Sequence, residues 1–148
     1  MAEKIAVVTG GAGFIGSHAV DLLLKKKFIV RVIDDFSGGH EKNLIQHKGN
    51  PQLEIHRKDI RLLSPKDSIF MGTNYVFHFA GLGDIVPSVE KPIDYLDVNV
   101  QGTAKVLECS RNAGVKKFVY AASSSCYGIA TTPTTEEHEI QPQYPYAL

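Results

Sequence analysis

An excess of charge of either sign is missing from this 148-residue chain: 16 Lys and Arg offset 16 Asp and Glu, for a formal net charge of zero at pH 7. Such a surface offers no electrostatic footprint to a phosphate backbone or an anionic leaflet, so no nucleic acid and no membrane is expected as a partner. Long apolar runs are missing too. No stretch reaches the roughly 18 residues of a membrane span. Met1, Ala2, Glu3 and Lys4 lead into a short apolar segment rather than a signal-peptide core, which makes the cytoplasm the expected compartment. Cysteine is scarce. Cys109 and Cys126 have no CxxC and no neighbouring His pair, which argues against zinc and a redox dithiol and predicts two buried, reduced thiols. The six His residues show no metal-ligand spacing, so no metal is expected, and His78, ending a strand, is read as structural. No repeat or linker divides the chain.

What is present is the composition of one globular domain, 43% hydrophobic and 22% charged. Short apolar segments recur at residues 5–8, 28–33, 53–55, 75–79 and 118–122, with helical patterns between them. Such alternation predicts parallel strands with crossover helices, an α/β, doubly wound sheet of Rossmann type. Phe14, Ile15, Ala19, Val20, Leu22, Leu23 and Leu24 are spaced for one face of a first helix, and Lys25, Lys26 and Lys27 place cations where its dipole favours them. Ser64, Pro65 and Asp67 read as N-cap, first-turn proline and first-turn carboxylate of a short helix. A longer helix over 92–112 carries Ile93, Leu96, Val100, Ala104 and Leu107 at three-and-four spacing, with Gly114 as its C-terminal cap. Residues 128–145, rich in Thr, Pro, Glu and Gln, read as a long loop of the functional or mobile kind.

The chemistry is concentrated in AVVTGGAGFIGSH (6–18). Gly11, Gly13 and Gly16 have GxGxxG spacing, and Gly10, Gly13 and Gly16 have GxxGxxG spacing. Either describes a strand turning tightly into a helix, where main chain approaches a pyrophosphate and free N–H groups and the helix dipole meet its charge. Asp34 follows eighteen residues after Gly16, at the end of the next strand. An acidic side chain there accepts hydrogen bonds from ribose hydroxyls and repels a 2′-phosphate, which points to NAD over NADP. The competing reading is a structural glycine turn with Asp34 as a cap. A P-loop is excluded, because Ser17 follows Gly16 and no Lys is placed to reach a phosphate. Asp59 and Ile60 fit two readings, as the flank of an adenine whose amine Asp59 accepts from, or as a solvated loop.

Seven motifs then carry a resemblance: TGGAGFIGS, IDDFSGG (33–39), KDIR (58–61), FHFAGL (77–82), NVQGT (99–103), SSSCYG (123–128) and PYAL (145–148). In register over the whole chain, they resemble the N-terminal part of extended short-chain dehydrogenases/reductases. FHFAGL followed by SVEKP (88–92) and SSSCYG is most similar to nucleotide-sugar 4-epimerases of the UDP-glucose 4-epimerase type.

The resemblance implies an NAD-binding Rossmann domain over residues 1–148, with the C-terminal substrate domain absent. It assigns Gly10, Gly13, Phe14, Ile15 and Gly16 to the cofactor, with Asp34, Asp35, Ser37 and Gly38 after the second strand. Asp59, Ile60, Phe79, Ala80, Gly81 and Asn99 complete that set. The catalytic hydroxyl falls on Ser123, with Ser124 and Ser125 as its neighbours and Tyr127 in the substrate or nicotinamide wall. The family's catalytic tyrosine opens a YxxxK motif. Tyr144 fails it, since Leu148 stands four residues on, so Tyr146 is the candidate and its lysine falls two positions past the end of the chain. A tyrosine that serves as a base near neutrality needs on the order of 4 kcal/mol of phenolate stabilisation, which the lysine and the nicotinamide cation supply in the family. This chain alone is therefore expected to bind dinucleotide with negligible turnover.

The implied reaction of an intact protein is 4-epimerisation of a UDP-hexose through a 4-keto sugar, with Tyr146 as base and Ser123 positioning the substrate oxygen. Nucleotide-sugar 4,6-dehydratases place an Asp and a Glu directly after the catalytic hydroxyl, where this chain has Ser124 and Ser125. A non-catalytic dinucleotide module is the other alternative. Glucose-type epimerases often carry a Lys after FHFAGL, and here Gly83 and Asp84 stand there, which leaves N-acetylhexosamine and uronate substrates open. Because the 92–112 helix forms part of the dimer interface in many relatives, a homodimer is a further expectation.

Overall fold

The computed structural model describes residues 4–148. Met1, Ala2 and Glu3, on which the leader-sequence reading partly rests, lie outside the described residues. The apolar segments form β1 (Ile5–Thr9), β2 (Ile29–Asp34), β3 (Leu53–Arg57), β4 (Tyr75–His78) and β5 (Lys117–Tyr120). All pairings are parallel, in the order β3-β2-β1-β4-β5, which is the doubly wound Rossmann-type sheet expected. The strand order reverses between β1 and β4, and a crevice opens at such a switch point beyond the carboxyl ends of the strands. Thr9 pairs with both Ile33 and His78, so three strands end level there.

Alternate residues of β1 face opposite layers. Ala6 and Val8 pack with Val20, Leu24, Val30 and Val32, while Val7 packs with Ile33, Phe70, Val76 and Val106. Each such side chain contributes about 1.5–3 kcal/mol on burial, and two apolar layers make the strand ends a rigid platform.

Helix α1 (Phe14–Lys25) buries Gly16, Ser17, Val20, Leu23 and Leu24. Phe14, Ile15 and Leu22 are 80%, 62% and 54% exposed, off the face their spacing suggested, because the sheet contacts only a narrow stripe of the helix. Beyond the C-cap, Lys27 takes φ 65° and its N–H donates to Leu24 O, while Phe28 N–H donates to Leu23 O. This is a Schellman closure with lysine where glycine is usual.

Helix α2 (Ile85–Glu90) was not foreseen. It stops at Lys91, at φ −133°, because Pro92 disfavours the helical region in the residue before it. The 92–112 helix is continuous but not uniform: α3 (Pro92–Tyr95), a π-helical stretch (Leu96–Gly102) and α4 (Thr103–Asn112). Gly114, at φ 68°, closes it as expected. Its core-facing residues include Tyr95, Gly102, Val106 and Cys109, whereas Ile93, Leu96, Val100 and Leu107 are exposed. The helix approaches the body of the protein on its small-residue side: a Cβ on Gly102 would lie 2.6 Å from Ile60 Cδ1. The apolar stripe is thereby turned away from the core, Leu96 and Val100 toward the cleft and Ile93 and Leu107 outward.

Two local expectations are corrected. Asp67, not Ser64, caps a short 3₁₀ turn (Ser68–Phe70), its carboxylate accepting the Ile69 N–H at 3.3 Å. Cys109 is buried, but Cys126 is only half-buried, because it sits on a turn at the wall of the cleft. Between Tyr127 and Pro145 there is no helix or strand.

Candidate functional site

The turn after β1 packs main chain against main chain. Gly10 takes φ 65°, and a Cβ there would lie 2.6 Å from Ala80 N, while a Cβ on Gly16 would run into the Gly10 carbonyl. Gly13 N–H donates to Gly10 O at 3.1 Å, and Ser17 N–H donates to Gly13 O at 3.0 Å. The N–H groups of Phe14, Ile15 and Gly16 have no acceptor among the described residues. All three residues line a cavity of about 880 Å³. Free amides at the positive end of a 12-residue helix form an anion cradle.

Across the turn lies a second cavity of about 540 Å³, lined by Asp34, Asp35, Ser37, Asp59 and Ile60 among others. Asp34 is 7% exposed. Its Oδ2 accepts from Ala12 N–H and its Oδ1 from Phe36 N–H, both at 2.8 Å. These bonds aim the carboxylate at the cavity and leave each oxygen a lone pair for a ribose hydroxyl. Arg57, paired with Asp34 in register on β3, stacks 4.3 Å from the Phe36 ring centroid and donates to Glu41, so its charge is already engaged. Asp35 accepts from Ser37 N–H and O–H. That turn delivers Gly38, which borders both cavities. Asp59 is not a free acceptor: Arg61 donates to it from its main chain at 2.8 Å and its guanidinium at 2.6 Å, holding the carboxyl below its ordinary range.

Phe79, Ala80 and Gly81 continue β4 along the wall shared by both cavities, so the two form one cleft across the switch point. Asn99 grips the next residue, its Oδ1 accepting from Leu82 N–H at 2.8 Å and its Nδ2 donating to Leu82 O at 3.0 Å. Its amide is spent on the loop. Tyr95, which the sequence reading passed over, donates to Gly83 O at 2.7 Å. The signal was available, because Tyr95, Asn99 and Thr103 recur every fourth residue as a hydrogen-bonding line along the helix.

At the far end, Ser123 and Tyr146 line the main cavity together, and both also border a shallower pocket with Asp84, Ile85 and Ser125. Ser123 Oγ accepts from Ser125 N–H at 3.2 Å, which leaves its own proton to donate. Tyr146 stands on a 3₁₀ turn (Pro145–Ala147), its ring edge-to-face with Tyr95 at 6.3 Å between centroids. Ser124 and Tyr127 line none of these pockets, and Cys126 does. Residues 124–127 form a 3₁₀ turn, where side chains three apart eclipse. Ser123 and Cys126 therefore share one side, and Ser124 and Tyr127 the other.

The family model described as the NAD dependent epimerase/dehydratase family matches residues 6–148. The UDP-glucose 4-epimerase 2 of Oryza sativa subsp. japonica is 38% identical, covering 97% of this chain and 37% of its own length. A solved UDP-N-acetylglucosamine 4-epimerase from Methanobrevibacter ruminantium M1, in complex with UDP-N-acetylmuramic acid, superposes with a TM-score of 0.91 at 35% identity, covering 99% of this chain and 47% of its own. A dTDP-glucose 4,6-dehydratase from Streptomyces venezuelae, with NAD bound, gives 0.89 at 33% identity, covering 97% and 47%. The chain spans less than half the length of these relatives. The amide cradle and the aimed carboxylate of Asp34 fit NAD, the cofactor of these relatives. By motif, fold and cleft, the chain belongs to the NAD-dependent epimerase/dehydratase family.

Proposed function

We propose that the protein carrying this chain is an NAD-dependent nucleotide-sugar 4-epimerase of the UDP-hexose class, with residues 1–148 as its NAD-binding part. One observation carries the reading: Ser123 and Tyr146 border the same cavity that begins at the free amides of α1. Bound NAD supplies the acceptor, and then the donor, of a hydride. Tyr146 takes the proton of the sugar C4 hydroxyl, and Ser123, whose proton is uncommitted, donates to that oxygen and relays the proton. The 4-keto sugar turns over and regains proton and hydride on the opposite face, so no external oxidant is consumed.

Asp84 sets a preference at the sugar end. It occupies the N-cap position of α2 without making a cap bond, and it borders the pocket shared by Ser123 and Tyr146. A negative charge there favours neutral hexoses or N-acetylhexosamines over uronates. Elimination of the dehydratase kind has no support at Ser124 and Ser125, which carry no carboxylate. Ile93 and Leu107, 65% and 46% exposed and outside the cleft, support a homodimer, and two free thiols suit the cytoplasm.

The test takes two samples. The 148-residue chain binds NAD with negligible turnover. The complete protein, purified with NAD and no added oxidant, interconverts UDP-glucose or UDP-N-acetylglucosamine with its 4-epimer in preference to UDP-glucuronate. Tyr146→Phe removes turnover and retains NAD. Firm NAD binding without interconversion of any UDP-sugar would identify a non-catalytic dinucleotide module instead.

A further inference from the structure

A buried histidine at the cleft is left unused by the reaction. His78, the last residue of β4, is 1% exposed, and burial pushes its pKa down to about 4, so the ring is neutral at neutral pH. Its two nitrogens meet hydroxyls from different elements: Nδ1 lies 2.6 Å from Thr9 Oγ1 at the end of β1, and Nε2 lies 2.8 Å from Thr103 Oγ1 in the first turn of α4. Tyr120 of β5 stacks on the ring at 5.9 Å and Phe118 tilts against it at 5.7 Å. No carboxylate or cation bonds to it among the described residues.

The network selects a tautomer. Thr9 Oγ1 accepts from Ala80 N–H at 3.3 Å. Thr9 is fully buried, and its hydroxyl proton has His78 Nδ1 as its partner. Nδ1 therefore accepts and Nε2–H donates to Thr103; the reverse tautomer would strand a buried hydroxyl proton. The chain Ala80 N–H to Thr9 to His78 to Thr103 thus runs beneath the cleft. Its first member, Ala80, is the residue against whose main chain Gly10 packs too closely to admit a Cβ.

We propose that His78 is a positioning residue for the dinucleotide: as the Nε2–H tautomer it holds Thr9, and through Thr9 the Ala80 main chain, at the spacing from the Gly10 turn that the cofactor requires. This rests on the dinucleotide lying in the cleft, and it predicts that cofactor affinity follows the Thr9 hydrogen bond rather than the packing of the ring. His78→Asn keeps an acceptor near the Nδ1 position and loses ring volume. His78→Phe keeps the volume and loses both bonds.

The experiment measures NAD dissociation constants by calorimetry and melting temperatures for the chain and both variants, and the His78 tautomer by ¹⁵N-histidine NMR. The expected result is an uncoupling: His78→Asn melts lower yet binds NAD within about 3-fold of the parent, while His78→Phe binds about 10-fold or more weakly, the scale of one lost hydrogen bond. The NMR shows a proton on Nε2. Parental affinity in His78→Phe, affinity that merely tracks melting temperature, or a proton resident on Nδ1 each overturns the proposal. If His78→Phe does not fold, the Asn variant decides, and its loss of NAD overturns the proposal. Failure of the parent chain itself to bind NAD counts against the dinucleotide reading, while the tautomer still reports on the network.

Discussion

Asp34 shows how main chain can fix a single side chain. Both of its oxygens are oriented by main-chain N–H groups, Ala12 from the glycine turn and Phe36 from the following loop, so its position is set by the fold itself. Asp34→Asn puts an amide NH₂ opposite one of these donors and removes the charge. We expect it to weaken NAD binding by roughly 10- to 100-fold, the worth of one hydrogen bond to a charged group, and to narrow the preference over NADP; calorimetry with the two nucleotides reads both. His78 gives a pH dependence of opposite origin. Its pKa is about 4 in the fold against 6.5 as a free side chain, so the unfolded chain binds the extra proton between these values. Stability conferred by the neutral ring is complete above pH 6.5 and is lost as pH falls to 4, by about 3 kcal/mol at roughly 1.36 kcal/mol per unit. Urea midpoints between pH 7 and 4.5 should fall more steeply for the parent than for His78→Asn, and parallel curves would contradict this origin.

Elements were legible where periodicity and contact coincide. β1, β2 and β4 are apolar because they are buried, and their segments stand plainly in the sequence. The Gly114 closure was also visible, since only a residue that tolerates positive φ suits that position. What spacing could not reveal was which apolar stripe meets the core. Phe14, Ile15, Leu96 and Val100 face the cleft, and Ile93 and Leu107 face outward, because Gly102 brings the other side of the helix against Ile60. Nor does the sequence mark the π-helical stretch, which brings Leu96, Asn99 and Val100 to the cleft wall. At the end of α1 the chain accepts strain that glycine would relieve: Lys27 sits at φ 65°. Lys27→Gly should raise stability by about 1 kcal/mol, the cost of a left-handed L-residue, seen as a higher urea midpoint with an unchanged slope; a lower midpoint would show that the lysine stem packs usefully there.

For the molecule as a whole, the doubly wound order explains why residues as distant as Asp34 and Tyr146 line adjoining chambers of one cleft. The switch between β1 and β4 leaves a gap that the glycine turn spans, with an acidic chamber on one side and the Ser123–Tyr146 chamber on the other. The sequence announced this cleft well, because GxxGxxG, Asp34 and the residues after β4 each need a definite backbone at a definite strand end. It announced the sugar end less well. Tyr95, Asp84 and Cys126 enter the cleft through helix and turn geometry rather than motif, and Ser124 and Tyr127 leave it for the same reason. The measurement that bears most directly on the dinucleotide cleft is a calorimetric titration of the 148-residue chain with NAD, repeated on Gly16→Ala, whose added methyl meets the Gly10 carbonyl. One NAD bound per parent chain, and none by the variant, is the expected result; a parent that takes up no NAD, or a variant that binds it equally well, would contradict a pyrophosphate held on the α1 amides.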